Sequence, residues 1–187
     1  MERLPTRLTG PILLQATAYG DERGFFVESY RRSRMAQLGV DVELVQDNHS
    51  RSRRGVVRGM HFQPGMGKLV RCARGSILDV VVDIRVGSPT FGQWESFELS
   101  DENFVQVYCP DGFAHGFCVL SELADVVYGC TTYWDPQAEG GFRYDDPEVG
   151  IGWPQGLSLT PSAKDAAAPT LAELTAQLPF RYEATAA

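Results

Sequence analysis

Hydrophobic and polar residues alternate most regularly over 76–86, where Leu78, Val80, Val82 and Ile84 interleave with Asp79, Val81, Asp83 and Arg85. A period of two is that of a β-strand, and it predicts one apolar face on a core and a second face rich in charge. Shorter strand-like runs cover 55–62, 68–74, 94–99, 104–109, 116–120 and 124–132. Turn-forming clusters separate them: Gly87-Ser88-Pro89, Ser100-Asp101-Glu102-Asn103 and Pro110-Asp111-Gly112. Two helices are expected, a short one over 29–38 and another over 171–178, after the helix-resisting Pro169. Many short strands with few helices predict an antiparallel sandwich or barrel, of which the jelly roll is one form.

In such a fold the polar positions that alternate with the core face are candidates for lining a pocket. Arg58 and His61 are three residues apart and would point to opposite faces of an ideal strand. Both reach one pocket only if the chain bulges or turns between them, which Gly59 permits.

With 187 residues, the chain is long enough for one good core, so a single domain over 1–187 is expected. A formal net charge of −7 argues against non-specific binding to nucleic acid. The local exception is Arg51, Arg53, Arg54 and Arg58, followed by Lys68 and Arg71. This cluster is either a solvated basic loop or the seat of a small anionic ligand such as a diphosphate. Met1 to Arg7 hold no apolar signal-peptide core, and the longest apolar stretch is interrupted by Asp79 and Asp83, so neither a secretory signal nor a membrane span is expected. Cys72, Cys109, Cys118 and Cys130 form no C-x-x-C pair, which fits a reducing cytoplasm better than a disulfide scaffold or zinc site. The Ala-rich end from Ala184 is expected to fray.

The three histidines are His49, His61 and His115. A metal-binding cupin strand brings an H-x-H pair, and here the segment reads Gly59-Met60-His61-Phe62-Gln63, so no metal is expected; a three-histidine site from distant segments is the alternative. His49 reads as structural. His61 lies between Arg58 and Lys68, and His115 sits in Gly112-Phe113-Ala114-His115-Gly116-Phe117, a glycine-flanked turn entering a strand, the kind of place where binding groups are displayed. On residue type alone Tyr128 stands out no more than Tyr108 or Tyr133, and Asp165 reads as a solvated charge or part of a helix cap.

The run Gly55-Val56-Val57-Arg58-Gly59-Met60-His61-Phe62-Gln63, followed by Lys68-Leu69-Val70-Arg71, resembles the dTDP-4-dehydrorhamnose 3,5-epimerase family. The resemblance extends, in order, through Gly20-Asp21-Glu22-Arg23-Gly24-Phe25-Phe26-Val27-Glu28, Gln46-Asp47-Asn48-His49-Ser50, Asp83-Ile84-Arg85 to Phe91-Gly92, Gly112 to Phe117, and Ser162-Ala163-Lys164-Asp165 to Pro169. It implies an all-β, cupin-type double-stranded β-helix, or jelly roll, with a few short flanking helices and a C-terminal helical region over about 160–187. It further implies a metal-free and cofactor-free epimerase acting on a dTDP-4-keto-6-deoxy sugar, and a homodimer that exchanges N-terminal strands within about 1–50.

Carried over residue by residue, the resemblance makes His61 the proton acceptor, oriented by Asp165, and Tyr128 the proton donor on the other face. Arg58, Lys68 and His115 would surround sugar and diphosphate, with Lys68 stabilising the enolate oxygen. Gln46, Asp47, Asn48, Glu139 and Lys164 would complete the nucleotide-sugar site together with Phe26 and Trp134, while Arg23 and Glu28 would come from the neighbouring subunit. These residue types suit the chemistry. A neutral imidazole, of reference pKa about 6.5, is a base near neutrality, and a phenol, of reference pKa about 10, can return the proton.

Trp134 departs from the tyrosine common at that position in the family; an indole keeps the stacking surface but cannot accept a hydrogen bond. Epimerisation at both C3 and C5, epimerisation at one centre only, and binding without catalysis therefore remain three distinct expectations.

Overall fold

The computed structural model describes residues 1–183, so the frayed end expected from Ala184 lies outside the described residues. The chain opens with β1 (Glu2–Leu4), β2 (Ile12–Gln15) and a hairpin of β3 (Ala18–Asp21) and β4 (Gly24–Val27), then α1 (Arg32–Gln37). Next come β5 (Gln46–Arg53), β6 (Val57–Phe62), β7 (Lys68–Arg74), β8 (Ser76–Asp83) and β9 (Trp94–Ser100). They are followed by β10 (Val105–Cys109), β11 (Phe113–Val119), β12 (Leu123–Cys130) and β13 (Gly140–Gly141). Two short helices, α2 (Ala163–Ala166) and α3 (Leu171–Leu174), end the described chain, α3 running into a 3₁₀ turn at Thr175–Gln177. No helix among the described residues is long and apolar enough to cross a membrane.

The strands form two antiparallel sheets, one ordered β1-β2-β10-β7-β12-β5 and the other β13-β6-β11-β8-β9, with the β3-β4 hairpin standing apart as a two-stranded unit. This is the expected all-β jelly roll. Between the sheets, Leu13, Val70, Val107 and Val126 of one meet Ile77, Val81, Leu99 and Phe117 of the other. Each such side chain, fully buried, stabilises the fold by about 1.5–3 kcal/mol.

The predicted strand over 76–86 ends at Asp83, and its second face is not solvated: Asp79 and Asp83 are both wholly buried. The reason is that β8 lies inside its sheet, between β11 and β9, and is covered on both faces. Leu78, Val80, Val82 and Ile84 pack outward under Phe142, Trp153, Leu171 and Phe180 of the C-terminal segment, while the odd residues point between the sheets. The expected helices are also shorter than predicted. α1 starts without a side-chain cap at Arg31, and the capping box of Thr170 and Glu173 holds only one turn of α3 before the chain tightens.

β6 contains the irregularity that parity demands. Against β11, His61 pairs with His115 and Arg58 with Phe117, so three steps on one strand oppose two on the other. Gly59 absorbs the extra residue at φ +140, with its backbone so close to β11 that a Cβ would lie 2.6 Å from the Gly116 Cα. Val57, Met60 and Phe62 consequently face outward into the C-terminal core, and both Arg58 and His61 face inward.

Candidate active site

At one end of the sandwich the inner walls part around a cavity of about 490 Å³, lined among others by Arg58, His61, Lys68, His115, Tyr128, Glu139, Lys164 and Asp165. A second lobe of about 220 Å³ shares His61, Lys68, Tyr128 and Glu139 and adds Gln46, Asn48, Cys130 and Trp134. Walls and contents follow from strand parity. Gln46, Asn48, Ser50 and Ser52 are the even, inward positions of β5; Lys68 begins β7; Tyr128 lies on β12. All these belong to the six-stranded sheet. Opposite them, on the five-stranded sheet, stand Arg58 and His61 of β6 and His115 of β11.

Asp165 reaches the site because the segment before it is tied to β6: Thr160 N donates to Gly55 O at 2.8 Å, and Val57 N donates to Thr160 O at 3.1 Å. Ser162 then caps α2 by accepting from Asp165 N, and the carboxylate, 5% exposed, stands 2.7 Å from His61 Nε2. An ionised carboxylate only accepts, so Nε2 carries the proton and Nδ1 is the basic nitrogen. His115 holds a second such pair, with Nε2 at 2.7 Å from Oδ2 of Asp79. Burial pushes Asp79 above the usual carboxylate range, and His115 and Lys68 counter this only in part.

Burial likewise raises the Tyr128 phenol, helped by Cys130 and Glu139 and opposed by Arg58, so the group stays protonated at neutral pH. Burial opposes the charge of Glu139, but its hydrogen bond from Lys164, with His61 and Trp134 nearby, outweighs this and holds it below its ordinary value. Lys68 makes no ion pair among the described residues, which leaves its ammonium available to a ligand oxygen. Arg58 is held by a 3.0 Å hydrogen bond from Nε to Ser52 Oγ, its terminal nitrogens remaining to bind.

Eleven of the sequence-predicted residues thus line one connected space: Gln46, Asn48, Arg58, His61, Lys68, His115, Tyr128, Trp134, Glu139, Lys164 and Asp165. Asp47 does not, because as an odd residue of β5 it points to the outer face of the sheet, where it borders a different groove. Arg23, Phe26 and Glu28 lie on or just after the β3-β4 hairpin, away from the cavity; Arg23 pairs with Asp21 and Glu28 with Arg31. His49 points outward toward Asp125. Behind the lining residues stand two polar partners that were not predicted for the site: Asp79, which holds His115 and whose signal was its place among the alternating acids of β8, and Ser52, which holds Arg58 and has no signal beyond the period of a wholly polar strand.

The sequence profile described as dTDP-4-dehydrorhamnose 3,5-epimerase matches residues 5–173. The dTDP-4-dehydrorhamnose 3,5-epimerase of Salmonella typhimurium is 50% identical over 172 residues, covering 90% of this chain and 94% of that protein. The dTDP-4-dehydrorhamnose 3-epimerase of Streptomyces niveus is 46% identical over 157 residues, covering 82% and 75%. Among solved structures, a dTDP-6-deoxy-D-glucose-3,5-epimerase from Legionella pneumophila in complex with dTDP-4-keto-L-rhamnose superposes with a TM-score of 0.93 at 47% identity, covering 98% of this chain and 99% of that one.

Proposed function

The chain belongs to the dTDP-4-dehydrorhamnose 3,5-epimerase family and is an isomerase; on that premise we propose that it converts dTDP-4-dehydro-6-deoxy-D-glucose to dTDP-4-dehydro-L-rhamnose through His61, Tyr128, Lys68 and Asp165. One observation carries the assignment: His61 and Tyr128 project from opposite sheets into the same cavity.

Nδ1 of His61 takes the proton from the carbon beside the C4 ketone, and the C–H electron pair moves to the ketone oxygen as an enolate. The carboxylate of Asp165 stabilises the imidazolium as it forms. The ammonium of Lys68, a compact charge, meets the developing oxyanion, a role worth roughly 10² to 10³ in rate. Tyr128 then donates its O–H proton to the other side of the planar carbon, which inverts the centre; both groups recover their starting protonation through solvent. The guanidinium of Arg58 suits the diphosphate, whose paired oxygens match its planar fork.

The hairpin supports a homodimer. It exposes Tyr19, Phe25 and Phe26, the last at 71%, and β5 offers an unpaired edge beside the Gln46–Trp134 end of the cavity. Docking the hairpin of a second copy there would bring Arg23, Phe26 and Glu28 to the nucleotide.

A second assignment, inversion at one centre only, is favoured by Trp134, which stands half exposed at the mouth of the smaller lobe where a phenol would otherwise be. Incubation with dTDP-4-dehydro-6-deoxyglucose in D₂O separates the two. Deuterium at C3 and C5 establishes the double epimerase and deuterium at one carbon the restricted one, while tight binding without label overturns both.

A further inference from the structure

The hairpin leaves the sandwich between two anchors, and both are on the segment Phe104 to Gln106. On the incoming side Ala16 N donates to Phe104 O at 3.1 Å. On the outgoing side Nε2 of Gln106 donates to Ser29 O at 3.0 Å, one residue after Glu28. Between them the Phe25 ring packs edge-on against Phe104, with centroids 4.9 Å apart.

Each feature is costly in isolation. Gln106 is 2% exposed, and its Oε1 is a buried acceptor with no hydrogen-bond partner among the described residues. An apolar side chain of similar length would avoid that desolvation. Phe104 is the one described non-glycine residue with positive φ, at 53, a conformation that L-residues other than Asn and Asp seldom adopt. Unfavourable local choices gathered at one place persist where the surrounding structure holds them, and they motivate a functional hypothesis for that place.

We propose that Gln106 and Phe104 are positioning residues for the active site of the neighbouring subunit: they fix the direction in which the hairpin leaves its own sandwich, and so the seating of Arg23 and Glu28 on the partner's nucleotide. The proposal rests on the hairpin being lent between subunits. Its physical content is leverage. Twelve residues, Thr17 to Glu28, lie between the two anchors, and among the described residues β3 and β4 pair only with each other, so a small rotation at Ser29 becomes a large displacement at Arg23.

The test uses co-expressed, differently tagged subunits purified as heterodimers with a single working site. One subunit carries His61→Asn, so all turnover belongs to the other. When Gln106→Met is placed on the His61→Asn subunit, whose hairpin serves the live site, KM for the nucleotide sugar is expected to rise about fivefold to tenfold, the scale of one lost hydrogen bond, with kcat within about twofold. When Gln106→Met is placed on the live subunit instead, KM is expected to stay at the wild-type value. Phe104→Asn, which relieves the backbone strain while removing the ring, should give the same pattern without loss of thermal stability, and carries the test if Gln106→Met fails to fold. Arg23→Ala in the same two arrangements tests the lending alone. If Arg23→Ala shows the crossed pattern while Gln106→Met and Phe104→Asn raise KM in neither arrangement or in both, the positioning role is overturned and the lending stands. If Arg23→Ala raises KM only on the live subunit, or no heterodimer forms, the lending fails and the positioning role with it.

Discussion

His61 and His115 stand directly opposite each other as a cross-strand pair of β6 and β11, and each presents Nε2 to a carboxylate oxygen at 2.7 Å. Two imidazoles with the same bond are nonetheless placed for different work. The carboxylate of His61 comes from α2, at the edge of the cavity, whereas that of His115 is wholly buried on β8 with its ionised form disfavoured by burial.

This predicts a split between rate and binding. His61→Asn should lower kcat by about 10² to 10⁴, the range of a lost general base, with KM little changed. Asp165→Asn should lower kcat in the same direction, because an amide neither fixes the Nδ1 base nor stabilises the imidazolium. Asp79→Asn should raise KM instead. Steady-state kinetics on the three variants check this, and a kcat loss in Asp79→Asn equal to that in Asp165→Asn would show that the two pairs share one role.

Tyr128→Phe should uncouple proton exchange from inversion. His61 can still remove the proton and return one to the same face, so solvent deuterium is expected to enter the substrate while the epimerised product falls by about 10² or more. The raised phenol sets the pH dependence. The donor is present below its folded value and is lost only as pH rises past the ordinary phenol value of about 10, so wild-type kcat should show no Tyr128-dependent fall below about pH 10. An alkaline limb near pH 8 that disappears in Tyr128→Phe would contradict this.

Lys68→Met keeps the stem and removes the charge. If the ammonium serves the enolate oxygen, kcat should fall by roughly 10² to 10³ while KM moves less. Unchanged turnover with a raised KM would reassign Lys68 to ground-state binding.

Asp125 supplies a stability test outside the cavity. Its hydrogen bonds from Arg51, against burial and with help from His49, hold it down to about 2, below an unfolded value of about 3.9. The stabilisation is therefore complete above about pH 4 and is lost as the pH falls toward 2. Urea unfolding followed from pH 5 to 2 should show a shallower acid decline in Asp125→Asn than in the wild type.

The sequence made β8 and β10 legible because they carry hydrophobic residues at every second position. β5 was not recognised as a strand. Its residues Gln46-Asp47-Asn48-His49-Ser50-Arg51-Ser52-Arg53 include nothing hydrophobic, since the inward positions face a polar cavity and the outward ones are mostly exposed. The period of two is present there in exposure, not in hydropathy. The parity of Arg58 and His61 did predict an irregularity at Gly59. Asp165 could not be distinguished from any surface acid, because what buries it is a turn tied to β6 across a hundred residues of chain. The one-turn α2 that holds it is too brief for any periodicity to reveal.

The separation of His61 and Tyr128 onto different sheets has a stereochemical corollary. Were the two groups neighbours on one wall, a proton taken from a carbon would be replaced on the side it left, and the sugar would exchange hydrogen without changing hand. Because they ride on two stacked ladders that cannot slide past one another without breaking the core, inversion rather than simple exchange is written into the architecture, and the loops are left to decide which carbon is presented.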